Sequence, residues 1–563
     1  MSVLVMVLIV SIATATFLER SYGSYRAGVW IYKAFWFEIL FAWVSVALFV
    51  NLIRSKLWQK KKWDVSIFPF AFFVILSGLL LSQHFTTNGY LAIREGESSN
   101  QFIDKPFKLP FSLHLSNFSI QRYKDSGEPA QFRSNVVIED PAHNIEKPYS
   151  IYMNHILKYR GYRFYQYSFD EDEKGTILFV SRDPGIPVAY VGFLLLFVVI
   201  ALALFHSKGR IRVLEKEIRD SAEGRLNIFL LCVMGVIFLL SLAFHLKIEE
   251  FYSRFHILPL LGKWFVFVTC IFLLIKLILF AFKDSLKKIF PTFIKIFQWA
   301  VLLGFLLFTI GVAIRWIFMD YTDWSMKYEC MMLSGWASLL AGITLSRHSR
   351  IPMICGCLLA GSVLIVSHLP SIYSSGSTLP PVLRSRWFII HVSTAIASYG
   401  FFAVGTIMAL LIILILAFTF SKKENHFLRR ISVWSKITEQ ALWIGLLLLA
   451  FGSILGAIWA NETWGRYWGW DPKESWSLIV ILSYALVLNL RFVVSTNWRY
   501  WFTILAFPAF GTMLMTYFGV NMFFSGMHTY SGETGSQFSL IIFWIVGGWI
   551  TLSFFACRNR RRI

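Results

Sequence analysis

Apolar runs of membrane-spanning length recur along this chain from one end to the other. They lie near 1–17, 35–53, 66–85, 187–206, 226–246, 258–282, 297–314, 328–345, 351–369, 389–420, 436–457, 477–491, 501–519 and 537–556. About 20 apolar residues in a helix cross a hydrocarbon core of about 30 Å, so the pattern predicts about 14 transmembrane helices. Between the third and fourth runs, residues 86–186 change period. The stretches FSLHLSNFSI, SNVVIED, KPYSIYMN, YRFYQYSF and TILFVSRD alternate apolar with polar positions and are separated by turn formers. That alternation predicts a small β-rich domain. Residues 207–225, SKGRIRVLEKEIRDSAEGR, are charged and predict a linker or an amphipathic helix. The expected organisation is therefore spans in 1–85, a β-rich domain in 86–186, a fourth span at 187–206, a linker at 207–225 and a second membrane part at 226–563. The fold class is an all-α polytopic membrane protein with a small β-rich extracytoplasmic domain. No internal repeat is visible.

Composition agrees: of 563 residues, 56% are hydrophobic and 15% charged, with a mean hydropathy of +0.60. A soluble protein of this size could not solvate such a surface. The net charge of +21 would suit nucleic acid in a soluble chain. Here the basic residues gather in alternate connections, at Arg54 to Lys62, Lys208 to Arg225, Lys283 to Lys295, Lys422 to Arg430, and in the tail ending at Arg562. The positive-inside rule puts these connections and both termini in the cytoplasm, and excludes nucleic acid as the reason for the charge. Residues 86–186 and the loop within 459–476 then face outward. The N-terminal MSVLVMVLIVSIATA lacks a leading basic region and is expected to be an anchor rather than a cleaved signal. Six cysteines form no CxxC pair, and Cys232, Cys270, Cys355 and Cys357 lie in apolar runs, so neither a disulfide framework nor a zinc site is expected.

The candidate chemistry sits on the outer face. His391 begins a span, and His528 follows another in GVNMFFSGMHTYSG. Between them emerges WANETWGRYWGWDPKESWSLI, with Trp464, Trp468, Trp470 and Trp476 crowded beside fixed charges. Two imidazoles flanking indole surface suit a flat, apolar, iron-bearing ligand, because imidazole nitrogen is a common axial ligand of haem iron. Arg466 and Lys473 could meet the propionates, while Asp471 and Glu474 could orient the loop. The same tryptophans also suit an aromatic belt at the membrane interface. Spacing alone does not decide between them.

WGRYWGWDPKESWSL resembles the tryptophan-rich WGxxWxWD signature of the haem-handling proteins of cytochrome c biogenesis. PPVLRSRWFIIHV and GVNMFFSGMHTYSG resemble the segments that bring the two external haem-ligating histidines of that family. GYLAIREGES and GYRFYQYSFDEDEKG resemble its ResB-like (CcsB) half. In this order the motifs span nearly the whole chain and resemble the fused CcsB–CcsA cytochrome c synthases. The resemblance implies a bacterial inner-membrane cytochrome c haem lyase with its haem site facing the periplasm. It would present haem b and promote thioether attachment to the CxxCH motif of apocytochrome c, served by thiol-reducing proteins of the same pathway. It further implies His391 and His528 as axial ligands, and Trp464, Gly465, Arg466, Trp468, Trp470, Asp471, Lys473, Glu474 and Trp476 as the surface against the macrocycle. An alternative within reach is a haem exporter or chaperone without attachment activity. The family pattern also has an inner histidine pair in the membrane. Here Pro69 and Asn489 stand at those positions, leaving His206 as an inner-end imidazole.

Overall fold

The computed structural model describes residues 2–56, 58–59, 63–122, 127, 129–221, 290–318, 326–347, 349–367, 381–383, 385–418, 425–494, 496–524, 526 and 538–557. The chain is mostly helical. Its longer helices are α1 (Ser2–Tyr22), α2 (Phe35–Ser55) and α3 (Trp63–Phe85) before the β region. After it come α4 (Gly185–Phe205), α5 (Arg210–Ser221), α6 (Phe290–Phe318), α7 (Met326–Leu345) and α8 (Ile351–Ser367). The chain continues through α9 (Arg386–Phe418), α10 (Asn425–Trp464), α11 (Pro472–Leu488), α12 (Trp498–Leu514) and α13 (Phe538–Cys557).

Among the described residues, seven helical segments are long and apolar enough to cross a membrane: Ser2–Tyr22, Phe35–Ser55, Val65–Phe85, Gly185–Asp220, Trp387–Phe418, Ile431–Trp464 and Trp498–Phe523. This is fewer than the expected 14. Two expected spans, near 226–246 and 258–282, lie outside the described residues. Others, such as α8 and α11 with 17 residues each, stand at the short end of the roughly 17–25 residues that cross a membrane. On the helices before the β region and on α4, large apolar side chains such as Val10, Trp43, Phe73 and Leu194 stay exposed, as a lipid-facing surface requires.

The five alternating stretches all form strands, within β3 (Lys108–Arg122), β4 (Pro129–Asp140), β5 (Ile145–Tyr152), β7 (Tyr162–Phe169) and β8 (Gly175–Arg182). Three more, β1 (Thr87–Arg94), β2 (Ser98–Gln101) and β6 (Leu157–Tyr159), complete two antiparallel four-stranded sheets, ordered β1-β8-β7-β6 and β2-β3-β4-β5. Leu91, Leu113, Leu115, Phe164, Leu178 and Val180 fill the space between the sheets. Period two sends Tyr165 and Phe179 to the other face of their sheet. There Tyr165 is nonetheless only 3% exposed, because that face rests on the C-terminal end of α10.

At the far side of the sandwich, the buried Asp140 accepts hydrogen bonds from Tyr159 (2.8 Å), Arg160 (3.0 Å) and His143 (3.1 Å). Burial alone would raise this carboxyl, but those three partners outweigh it and hold the group at about 2. A carboxyl lowered on folding stabilises the fold above its ordinary value and stops doing so as pH falls through its folded value. Hydrogen exchange of the β4 and β5 amides, corrected for intrinsic pH dependence, should therefore hold steady down to about pH 4 and lose protection toward pH 2. Asp140→Asn should remove that acid step, with protection lower than in the unaltered protein above about pH 4 and converging with it toward pH 2.

The later helices also meet the helices of the first part of the chain and α5. Near the sandwich, Trp476 on α11 donates to Thr16 Oγ1 on α1 at 3.2 Å, and Tyr32 Oη lies 3.2 Å from Ser475 Oγ. At the other end, α5 is amphipathic as the charged segment 207–225 suggested. Its Leu214 and Ile218 are fully buried, Ile218 among Leu345, Phe401 and Ile437.

Candidate functional site

His391 sits one and a half turns into α9. Trp387 and Ile390 on the same turns stay exposed while Phe388 is buried, so the helix presents His391 and Phe388 toward α10. The close approach of α10 depends on two glycines. Gly452 faces Ala395, and a Cβ at Gly456 would stand 2.6 Å from the His391 ring. Small residues let helix backbones approach in this way. The His391 Nδ1–H donates to the Gly452 carbonyl at 2.7 Å. That bond selects the tautomer in which Nε2 keeps its lone pair, the arrangement found where imidazole binds iron. Trp459 lies parallel to the imidazole, with ring centroids 6.2 Å apart and planes at 24°. It packs in turn on Phe388 at 5.3 Å and on Trp464 at 5.0 Å.

The tryptophan-rich loop does not form one slab. Trp459 stands beside His391, and Trp464 packs on Trp459. Trp470 turns the other way, stacked on Tyr32 (4.7 Å, 12°) and edge-on to Phe37 (5.4 Å). Trp476 is buried against α1 through its bond to Thr16. Trp468 lies between, edge-on to Trp470 at 5.6 Å, and its buried Nε1 has no hydrogen-bond partner among the described residues. Two backbone positions with positive φ allow this division: Gly465 at 76° and Trp470 at 57°. At Gly465 a side chain would also collide with Tyr165 and Phe179 of the sandwich, since a Cβ would meet both rings at 2.9 Å.

The charged residues are engaged locally. Asp471 is the N-cap of α11, accepting from the Lys473 amide at 3.2 Å, and Glu474 reaches back to the Gly469 and Asp471 amides at 2.8 and 3.3 Å. With Pro472 at the first helical position, this is a capping box, legible in the spelling Asp-Pro-Lys-Glu. Arg466 folds over Gly469 and donates to its carbonyl at 3.3 Å. Lys473 donates to Asn521 at 2.9 Å. These bonds account for the roles of Asp471 and Glu474 as organisers of the loop. They tie Arg466 and Lys473 to protein groups.

The β sandwich holds the same end of α10. Tyr165 donates to the Asn461 carbonyl (3.0 Å), Thr463 donates to Asn154 (3.0 Å), Asn154 donates to Val382 (3.3 Å), and Lys158 pairs with Glu462 (2.8 Å). Tyr467 is buried near Ser82 and Phe193. Burial pushes the phenols of Tyr165 and Tyr467 upward, so both stay neutral. Trp459 was missing from the residues singled out in the sequence. For Trp459 a cue was present: Gly445, Gly452, Gly456 and Trp459 fall on one stripe of α10 at helical spacing.

His528 lies outside the described residues. Gly526, two positions earlier, is described: a Cβ there would lie 2.5 Å from Asp471 Oδ1 and 3.1 Å from Pro472, so the chain passes against the start of α11. Pro69 stands inside α3, beyond its first turn, where it removes a helical hydrogen bond rather than replacing an unpaired group. Asn489 caps α11, its amide donating to the Ala485 carbonyl at 2.7 Å. His206 ends α4, and its Nδ1 accepts from the Lys208 amide at 3.2 Å. Among the described residues, no group of three metal-binding side chains occurs.

Comparison with known proteins matches residues 324–528 to the family model described as cytochrome C assembly protein, and residues 60–179 to the ResB-like family. Protein NrfI of Wolinella succinogenes is 24% identical over 94% of this chain and 94% of its own length. The cytochrome c biogenesis protein CcsA of Guillardia theta is 32% identical over 47% of this chain and 94% of its own length. That of Prochlorococcus marinus strain MIT 9301 is 31% identical over 40% of this chain and 81% of its own. The chain belongs to the CcsA family of cytochrome c biogenesis proteins and carries a ResB-like part in the same polypeptide.

Proposed function

We propose that this protein is a cytochrome c haem lyase that binds haem b at the loop-bearing face and promotes its attachment to the CxxCH motif of apocytochrome c. The observation that carries the reading is the His391 tautomer, fixed by Gly452 so that Nε2 is the lone-pair nitrogen, beside the Trp459–Trp464 pair. The residues present fit a haem. His391 would supply one iron-binding nitrogen and His528 a second, with Trp459 and Trp464 as an aromatic wall. Trp468 supplies a buried indole N–H suited to a propionate carboxylate.

When haem is bound, its two vinyl groups are the sites of reaction. Each cysteine S–H adds across one C=C, the sulfur to one carbon and the hydrogen to the other, with no oxidant consumed. The protein's share is positional: His391 fixes the ring plane, the aromatic wall holds one face, and the loop cap keeps both in register. The thiols must be reduced, so thiol-reducing proteins are the expected companions. Alternate basic connections support a bacterial cytoplasmic membrane location, with both termini cytoplasmic and the haem site on the periplasmic side.

Co-expression with an apocytochrome in a host lacking its own pathway tests the proposal. Covalent haem, surviving denaturing electrophoresis, is the expected product. Haem recovered in the protein or the periplasm without a covalent product would assign it to haem export instead.

A further inference from the structure

Opposite the tryptophan loop, about 25 Å away along the 17 residues of α11, the turn into α12 meets α5 and α10. The Glu439 carboxylate on α10 is 1% exposed. It accepts from Arg210 Nε and Nη2 at 2.7 and 2.9 Å, and Arg491 Nη1 stands 3.6 Å from the same carboxylate. Arg210 also reaches Glu217 at 3.3 Å, and Lys436 lies 3.8 Å from Glu217. Arg499 is within electrostatic reach of Glu439, Glu217 and Arg210. Among the described residues, four cations (Arg210, Lys436, Arg491, Arg499) thus gather about two carboxylates (Glu217, Glu439), two more positive charges than negative.

Two donors in this set are buried without a hydrogen-bond partner among the described residues: Arg491 Nε and Arg499 Nη1. Guanidinium N–H groups taken from water need an acceptor, and an oxyanion is the acceptor that also answers the surplus charge. The surroundings are apolar. Arg491 stacks on Phe492 and Arg499 on Trp498, at 4.6 and 4.9 Å. Phe492, Val493 and Trp501 are 74%, 59% and 42% exposed. A cationic pocket with an exposed apolar rim at the ends of two apolar helices has the form of a site for an amphiphile.

We propose that this pocket binds the phosphate of an acidic phospholipid, with its acyl chains along Phe492, Val493 and Trp501. The phosphate accepts from Arg491 and Arg499, and the rim distinguishes a lipid from free phosphate. Arg210 and Glu217 come from α5 while Glu439, Arg491 and Arg499 come from later helices, so the ion pairs beside the bound headgroup also tie α5 to α10 and to the turn into α12. The proposal is independent of the haem reading.

The full-length protein, stripped of lipid in detergent, is offered equal phosphatidylglycerol and phosphatidylcholine, and retained lipid is counted by native mass spectrometry. We expect phosphatidylglycerol to be retained about tenfold over phosphatidylcholine, from two surplus charges near a membrane surface. Millimolar inorganic phosphate should displace little of it. Arg491→Gln with Arg499→Gln should abolish the preference, and Arg491→Lys with Arg499→Lys should keep part of it. A photoactivatable phosphatidylglycerol on the unaltered protein locates the site whether or not the variants fold, and its adducts should fall within 489–501. Equal retention of the two lipids, an unchanged preference in the glutamine pair, or adducts only elsewhere would each overturn the proposal. So would displacement of the acidic lipid by haem, which would give the pocket to carboxylates.

Discussion

Replacing His391 with alanine is expected to change the haem spectrum of the purified protein and to lower covalent attachment by at least 10–100-fold, the range seen when even a metal ligand's hydrogen-bond partner is disturbed. The reason is local. Nε2 is the only ring nitrogen left with a lone pair once Nδ1–H is given to Gly452, and alanine removes it without filling the space. Imidazole added to the medium should occupy the vacated volume and restore part of the attachment. His528→Ala should behave in the same way, since the second axial nitrogen is proposed to come from there. Gly456→Ala offers a control that keeps the imidazole. Its Cβ would meet the ring at 2.6 Å, so the ring must turn and the bond to Gly452 must stretch. We expect an altered spectrum with haem still bound. Unchanged spectra and full attachment in both histidine variants would remove His391 and His528 from the site.

The second large effect separates tryptophans that the sequence could not tell apart. Trp459 is 1% exposed and lies between Phe388, Trp464 and the His391 ring. Trp459→Ala should leave a cavity beside the imidazole, with a cost near the roughly 3–5 kcal/mol of buried Trp→Ala changes. Haem loading per folded protein should fall steeply. Trp470→Ala should act elsewhere. Its ring is stacked on Tyr32 and edge-on to Phe37, so its loss should lower the thermal midpoint of the protein while leaving the spectrum of bound haem unchanged. Loading and midpoint measured on both variants decide the matter. If Trp470→Ala shifts the spectrum and Trp459→Ala does not, the division of the loop into a haem-facing and a helix-facing set is wrong.

What the sequence determined by itself rests on short-range physics. Length and hydropathy fixed a membrane class, because no other solvent accepts so much apolar surface. Alternation at period two found five strands, since side-chain direction in a strand follows from the backbone alone. Of the three strands it missed, β2 and β6, with four and three residues, are too short to show a period and become strands through their partners, whereas β1 does alternate, with Leu91 and Ile93 inward. The family motifs were readable as spelling, and so, in retrospect, was the capping box in Asp-Pro-Lys-Glu.

Tertiary structure decided what each indole does. Trp464 and Trp470 are six residues apart in one loop, yet one joins the His391 cluster and the other the N-terminal helices. The choice is made by two positive-φ turns and by partners some hundreds of residues away, neither of which a local pattern encodes. The same holds for Tyr165, whose outward position in its strand is buried only because a helix end lies against it. It holds for Arg491 and Arg499 too. In sequence they are two of many basic residues on one side of the membrane. Folding sets them beside a single buried carboxylate already claimed by Arg210, and a shared, insufficient countercharge is a property of the assembled helices alone.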